Sequence, residues 1–287
     1  VADETVDEVV AAPIEVAEAP LSTIVFLTGY VSIGSEGTWT EADIGTEVLS
    51  NHVVQVGPES SCEIQIGAIA TVVLEADTEV TIRDLYAETT GTGARLAVGA
   101  GSVVSRVARL TGTDEYAVET RTTVAGVRGT LFKTTVQDDG TTTVAVAEGT
   151  VNVRATIEEI DDVTPNTTEQ REVIRAVRTA LDDGATSVQE RQEIVLTPAA
   201  KSQALDAVAS VVTAARSAVT GQQVTDETVE QVRAAAASAK PGEAAVIADE
   251  RLAELQATRL DPTVLIDPQT ESVRRDLVNL TIVSEPP

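Results

Sequence analysis

The sequence predicts a mainly β fold with a helical subdomain: an antiparallel β-sandwich or β-helical wrap followed by a small helical bundle. Three observations predict it. From Thr23 to about Arg154, short Val- and Thr-rich segments alternate or run apolar and are punctuated by Gly, Asp or Asn, the cadence of short strands. After Arg154 the apolar spacing changes to three and four, the period of an amphipathic helix. The apolar content is 43% of 287 residues and is built from Val and Ala, with only two Phe, three Tyr and one Trp; side chains this small suit thin sheets and closely packed helices.

Residues 1–21 form an acidic N-terminal arm with two prolines. Its stretch "APIEVAE", residues 12–18, alternates well enough to pair with a sheet edge, and Pro13 confines it to an outer position. Residues 22–155 read as the β domain, through "TIVFLTGYVSI", "CEIQIGAIATVVL", "EVTIRDLY", "SVVSRVARL", "EYAVET" and "TTTVAVAEGTVNV". Gly-x-Val recurs at Gly29, Gly101 and Gly149, each read as a turn that restarts a strand. "QDDGTT", residues 137–142, reads as a hairpin turn with Asp139-Gly140 at positive φ.

Residues 156–184 hold an inserted helix, with Val173, Ile174, Val177 and Leu181 on one face, Thr167 and Gln170 as a capping box, and Gly184 as the stop. Residues 185–197 alternate through Val188 and Val195 and predict one strand returning to the sheet. Residues 198–260 predict three short-looped helices: one from Thr197-Pro198 to Gly221, one from Thr225 to Ser238, and one from about Glu243 to Leu260. Residues 261–287 form a C-terminal extended arm with strand-like Val264-Leu265-Ile266 and Leu280 to Val283.

Net charge is −26, from 46 acidic and 20 basic residues, of which only Lys133, Lys201 and Lys240 are lysine. That balance argues against nucleic acid and against an anionic membrane surface, both of which need clustered cations; solubility or a saline habitat accounts for it more simply. No run reaches the 18 to 20 or so apolar residues of a membrane-spanning helix. With one cysteine, Cys62, no intrachain disulfide can form, and the sole histidine, His52, would be its only partner for nucleophilic chemistry. Cys62 reads instead as a buried strand residue. No catalytic, cofactor-binding or metal-binding residue is predicted, and so no enzyme. The chain begins at Val1 and contains no methionine, which leads to the expectation of a removed export signal and an extracytoplasmic location, whether periplasmic, surface or secreted.

The most distinctive stretch is "TTVAGVRGTLF", residues 122–132. It lacks the Gly-Lys-Ser/Thr ending of a P-loop, and a strand rather than a helix follows it. A structural corner is the reading left: Gly126 and Gly129 supply unusual backbone angles, and Arg128 is a buried clamp satisfied by carbonyls or a carboxylate. Together, Gly126-Val127-Arg128-Gly129-Thr130, then Phe132, then a hairpin and Glu148-Gly149-x-Val resemble the signature half of a FecR domain. The earlier half is similar more loosely, at Gly29-Tyr30-Val31, Trp39, Ile44-Gly45, Val48, Gly57, Ser60-Ser61, Leu74, Thr78 and Leu96 to Val103, so the resemblance spans about residues 22–155.

The resemblance implies an extracytoplasmic all-β module without catalytic residues. Its best-known members are periplasmic halves of regulators that relay iron-siderophore signals from an outer-membrane transporter to a sigma factor. No sigma-binding or transporter-contacting segment is legible here. The leading expectation is therefore an exported, non-enzymatic module that binds or self-assembles, in a filament or at a surface, as a homo-oligomer joined through its terminal arms. The alternatives are a soluble periplasmic sensor or regulator of the FecR kind, and an envelope- or carbohydrate-binding module. For the last, Tyr30, Trp39, Tyr86 and Tyr116 offer few aromatic platforms.

Overall fold

A computed structural model describes residues 22–35, 37–88, 91–112, 114–163, 167–206, 208–209, 225–237 and 241–258. Both predicted terminal arms, and the second half of the helix that follows Thr197, lie outside the described residues.

Among the described residues, sixteen strands form one continuous hydrogen-bonded sheet that folds over into two layers. The first layer runs β3 (Thr38–Glu41), β2 (Val31–Ser35), β4 (Val53–Val56), β7 (Glu79–Glu88), β8 (Gly91–Val107), β9 (Glu115–Glu119), β10 (Thr123–Val127), β13 (Thr150–Ala155) and β14 (Thr186–Gln189). The second runs β1 (Ser22–Thr28), β5 (Ser61–Ile66), β6 (Ala70–Leu74), β8 again, β11 (Leu131–Val136), β12 (Thr142–Glu148), β15 (Gln192–Leu196) and β16 (Ala245–Val246). These neighbours are antiparallel except β8 and β9, which run parallel over Gly93–Ala97 and Glu115–Glu119.

Strand β8 belongs to both layers. Up to Ala100 it pairs with β7; from Gly101 on it pairs with β11, and from Val103 with β6 as well. Gly101 sits at this crossing with φ of 83°, and a Cβ there would lie 2.6 Å from Thr78 Cα. The glycine expected to open a strand therefore lies inside one and lets it pass from layer to layer. Gly29 and Gly149 do stand at strand starts with positive φ. At the 137–142 turn only Gly140 has positive φ; the Asp139 carboxylate instead accepts the Thr141 N–H at 2.8 Å.

The core lies between the layers because alternate residues of each strand point inward. Cys62, Ile64, Val72, Leu74, Val144 and Val146 of the second layer meet Val54, Ile82, Leu96, Val118, Ala125 and Val153 of the first in one buried cluster. Phe132 and Tyr116 meet edge to face in it, 6.5 Å apart, with the Tyr116 hydroxyl hydrogen-bonded to Ser105 at 2.9 Å.

Helix α1 (Glu158–Asp161), which the periodicity did not predict, precedes α2 (Thr168–Asp182). Thr167 caps α2, its side chain accepting the Gln170 N–H at 3.1 Å. Helix α3 is described over residues 198–206, and α4 spans Asp226–Ala236. The expected cap at Thr197 holds, with Ala200 N–H donating to it at 3.2 Å, and Thr225 caps α4, accepting the Thr228 N–H at 3.2 Å. Ile160, Ile174, Val177, Leu181, Val208 and Val232 join these helices in a second apolar cluster. Gly184 admits α4 closely, since a Cβ there would lie 2.3 Å from the Ala236 carbonyl carbon.

Two expectations are corrected. Residues 185–197 are not one strand: a turn with Arg191 at φ of 63° divides them, sending β14 to β13 and β15 to β12. The turn shifts the alternation, so Ile194 and Leu196 are buried and Val195 is 51% exposed. Nor does a helix start at Glu243. Ala245–Val246 pair with β15, and α5 (Asp249–Ala257) begins later and lies apart from the other helices, on the outer face of the second layer.

Candidate binding cleft

The signature residues separate into three groups. Val127, Thr130 and Phe132 are buried, and the Thr130 backbone pairs in both directions with Val107, at 2.8 and 3.1 Å. Gly129 and Gly149 share one requirement. Both have positive φ, 75° and 84°, and a Cβ on Gly149 would lie 2.5 Å from the Gly129 carbonyl oxygen. The two halves of the motif thus touch backbone to backbone, which neither half shows alone. Glu148 is exposed and 3.5 Å from Arg106.

Gly126 and Arg128 form the third group. With Val127 turned into the core, its two neighbours lie on the other side, and both line a cleft on the outer face of the first layer. Arg128 is not the buried clamp the sequence suggests. It is exposed, and among the described residues it makes no hydrogen bond or ion pair. The clamp is Arg154 on β13, on the same face of the layer.

Arg154 is buried and donates to both Asp161 carboxylate oxygens and to Asp182, each at 2.7 Å. Asp161 also accepts the Ile157 N–H at 2.8 Å and lies 3.7 Å from Arg95, which pairs with Glu119. Arg178 donates to the carbonyls of Ile160, Asp161 and Val163 at 2.8 to 3.1 Å. Burial alone would push the Asp161 carboxyl up, but Arg154, Arg178 and Arg95 outweigh it and hold the group at about 2. Burial lowers Arg178 to about 10, helped by Arg95. For Arg154, burial pulls the same way, but Asp161 and Asp182 hold the guanidinium above its ordinary range.

Helix α2 docks on this face through arginines spaced four and three apart. Arg171 pairs with Asp84 and lies 4.1 Å over the Tyr86 ring; Arg175 reaches Glu115 at 2.9 Å and the Tyr86 hydroxyl at 3.0 Å; Arg178 completes the row. At Asp84 burial raises the carboxyl by more than Arg171 lowers it. Helical spacing of three arginines was the sequence signal for this seam. The apolar periodicity of the same helix points to another face, through Val173, Ile174, Val177 and Leu181.

The cleft lies between β8, β9, β10 and β13 on one side and the C-terminal half of α2 on the other, with a volume of about 520 Å³. Its acids are engaged. Asp114 accepts the Thr92 N–H at 2.9 Å, Glu115 pairs with Arg175, Asp182 with Arg154 and Asp183 with Arg233. Arg95 and Arg178 are engaged as well. Arg128 is the one lining charge without a partner among the described residues, and the exposed side chains of Thr150, Asn152 and Thr179, which line the same cleft, make no hydrogen bond there either.

The other candidates take structural positions. Cys62 is fully buried in the core, its thiol pushed up to about 12 by burial and by Glu63. His52 serves a turn, accepting the Leu49 N–H on Nδ1 at 3.2 Å. Among the described residues no three His, Cys, Asp or Glu side chains are grouped to hold a metal ion, and no helix is long and apolar enough to cross a membrane. Tyr116 belongs to the core and Tyr86 to the arginine seam, leaving Tyr30 and Trp39 exposed. The Trp39 ring covers Gly34, where a Cβ would lie 2.7 Å from it.

Against known proteins, residues 52–152 match the family model described as FecR protein. Two crystal structures of a proposed anti-sigma factor from Parabacteroides distasonis, at 1.65 and 2.50 Å resolution, are each 16% identical to the chain, with a TM-score of 0.35. The similarity spans 50% of this chain and 54% of theirs, so about half the length of those proteins is represented. No curated protein matches.

Proposed function

We propose that this chain, which carries a FecR domain over residues 52–152, is an extracytoplasmic sensor or regulator module that acts by binding and not by catalysis. The family match carries this reading. The site chemistry agrees with it: the strongly perturbed groups around the cleft, Asp161, Arg154 and Arg178, are locked into mutual ion pairs and backbone carbonyls, and the Cys62 thiol is buried in the core, whereas an acid–base or nucleophilic centre needs a reactive group free to face a cavity. The self-assembling structural reading rested on the terminal arms, and no feature among the described residues favours it.

Transcript profiling of a strain lacking this chain tests the reading. A confined set of transcripts should change and should be restored by complementation. An unchanged profile accompanied by loss of envelope integrity would return the structural reading.

A further inference from the structure

Gly126 stands in the middle of β10 without a backbone reason to be there. Glycine weakens a strand interior, and it is normally kept for a positive φ, a bulge or a close approach. Gly126 has no positive φ, and its pairing runs without a register shift on both sides, to Asn152 of β13 and Ala117 of β9. Among the described residues no group crowds it: an added Cβ would meet only Asp182 Oδ2, at an ordinary 3.8 Å. Gly129 and Gly149 are each forced by angle and contact; Gly126 is forced by neither. What its missing side chain provides is open floor in the cleft.

Above that floor one cation of the lining is left without a partner among the described residues. The acids of the cleft each accept from a guanidinium or a backbone N–H, and among the described residues Arg128 remains as a single unengaged cation, with the amide of Asn152 and the hydroxyls of Thr150 and Thr179 lining the same cleft. We propose that the cleft binds an organic carboxylate, with the Arg128 guanidinium taking the anionic group and Asn152, Thr150 and Thr179 taking hydrogen-bonding groups attached to it. A planar guanidinium fork fits a carboxylate through two parallel hydrogen bonds. One unengaged guanidinium can pair with one anionic group, and a phosphate dianion would find no second free guanidinium in the lining among the described residues. The volume, about 520 Å³, suits a small molecule or the last residues of a peptide. This deepens the proposed binding function and rests on it.

Calorimetric titration of the full chain tests the proposal with four probes: an acetylated Ala-Ser-Thr tripeptide with a free C-terminal carboxylate, its C-terminal amide, glucuronate, and inorganic phosphate. At least one carboxylate probe should bind saturably at one site, with the amide at least about tenfold weaker than its acid if the peptide binds. Binding of the peptide alone assigns the source to a polypeptide terminus, and binding of glucuronate alone to a free acid; both outcomes support the class. Arg128→Gln should weaken the bound acid at least about tenfold. Gly126→Ala should also weaken it while the melting temperature stays the same or rises, a combination that a purely structural glycine would not give. The proposal is overturned if no carboxylate probe binds at about 10 mM, if the tripeptide alone binds and its amide binds equally well, if phosphate binds tighter, or if Arg128→Gln leaves affinity unchanged. A transcript response that survives in Arg128→Gln would remove the cleft from the regulatory reading and leave that reading standing.

Discussion

Two helices lie on opposite outer faces of the same folded sheet and are held there by different forces. On the second layer, α5 and the segment leading into it set Ile247, Leu252 and Leu255 against Val73, Val104, Leu131, Ala145 and Ala147, an apolar contact with the ion pairs Arg251–Glu193 and Arg191–Asp249 at its rim. On the first layer, α2 sets Arg171, Arg175 and Arg178 against Asp84, Glu115, Tyr86 and the carbonyls around Asp161. Apolar burial is non-directional and tolerates adjustment, whereas buried guanidiniums must meet their acceptors at set distances and angles. The first contact supplies adhesion. The second supplies register, fixing where α2 stands above the cleft.

The comparison can be broken most forcefully at Arg154. Arg154→Ala leaves Asp161 buried without its bidentate partner and should cost roughly 3–5 kcal/mol in urea unfolding. Acid sharpens the same point. The folded Asp161 sits at about 2 against an ordinary 3.8, so its contribution is present above about pH 4 and is lost as pH falls through about 2. Unfolding followed by circular dichroism should steepen across that window, and Asp161→Asn should flatten it. On the opposite face, Leu252→Ala should cost about 2–3 kcal/mol, with no dependence on pH in the same window. Gly184→Ala drives a methyl into the Ala236 backbone and should cost about 1–3 kcal/mol, read as a lowered melting temperature and as faster hydrogen exchange in α4. Arg128→Ala should change stability by less than about 0.5 kcal/mol, because the side chain is exposed and unpaired among the described residues. A loss there comparable to that of Arg154→Ala would restore the clamp role to Arg128.

What the sequence revealed follows what is local. Strand alternation and the caps at Thr167 and Thr197 depend on neighbours within four residues and were legible. The division of residues 185–197 was not, because one residue at positive φ decides it and Arg191 carries no compositional mark. Arg128 and Arg154 look alike in sequence, each following a valine in a β segment. They differ only in that β13 carries Arg154 to the carboxylates of α1 and α2, a fact of topology. The joint role of Gly129 and Gly149 was hidden for the same reason, since their contact needs β10 and β13 side by side. The arginine row of α2 was available from spacing alone, but its partners, on β7, β9 and α1, were not.

The passage of β8 through both layers bears on where this chain can be cut. The matched segment, residues 52–152, contains the whole of β8 and so part of each layer, yet it omits β1, β2, β15 and the half of β13 beyond Asn152. A fragment trimmed to it would bare the edges of β4, β5 and β12 that those strands cover, and it would end two residues before Arg154. Exposed edges of that kind recruit other chains. The stretch that sequence comparison recognises is therefore shorter than the stretch that must be inherited together to fold.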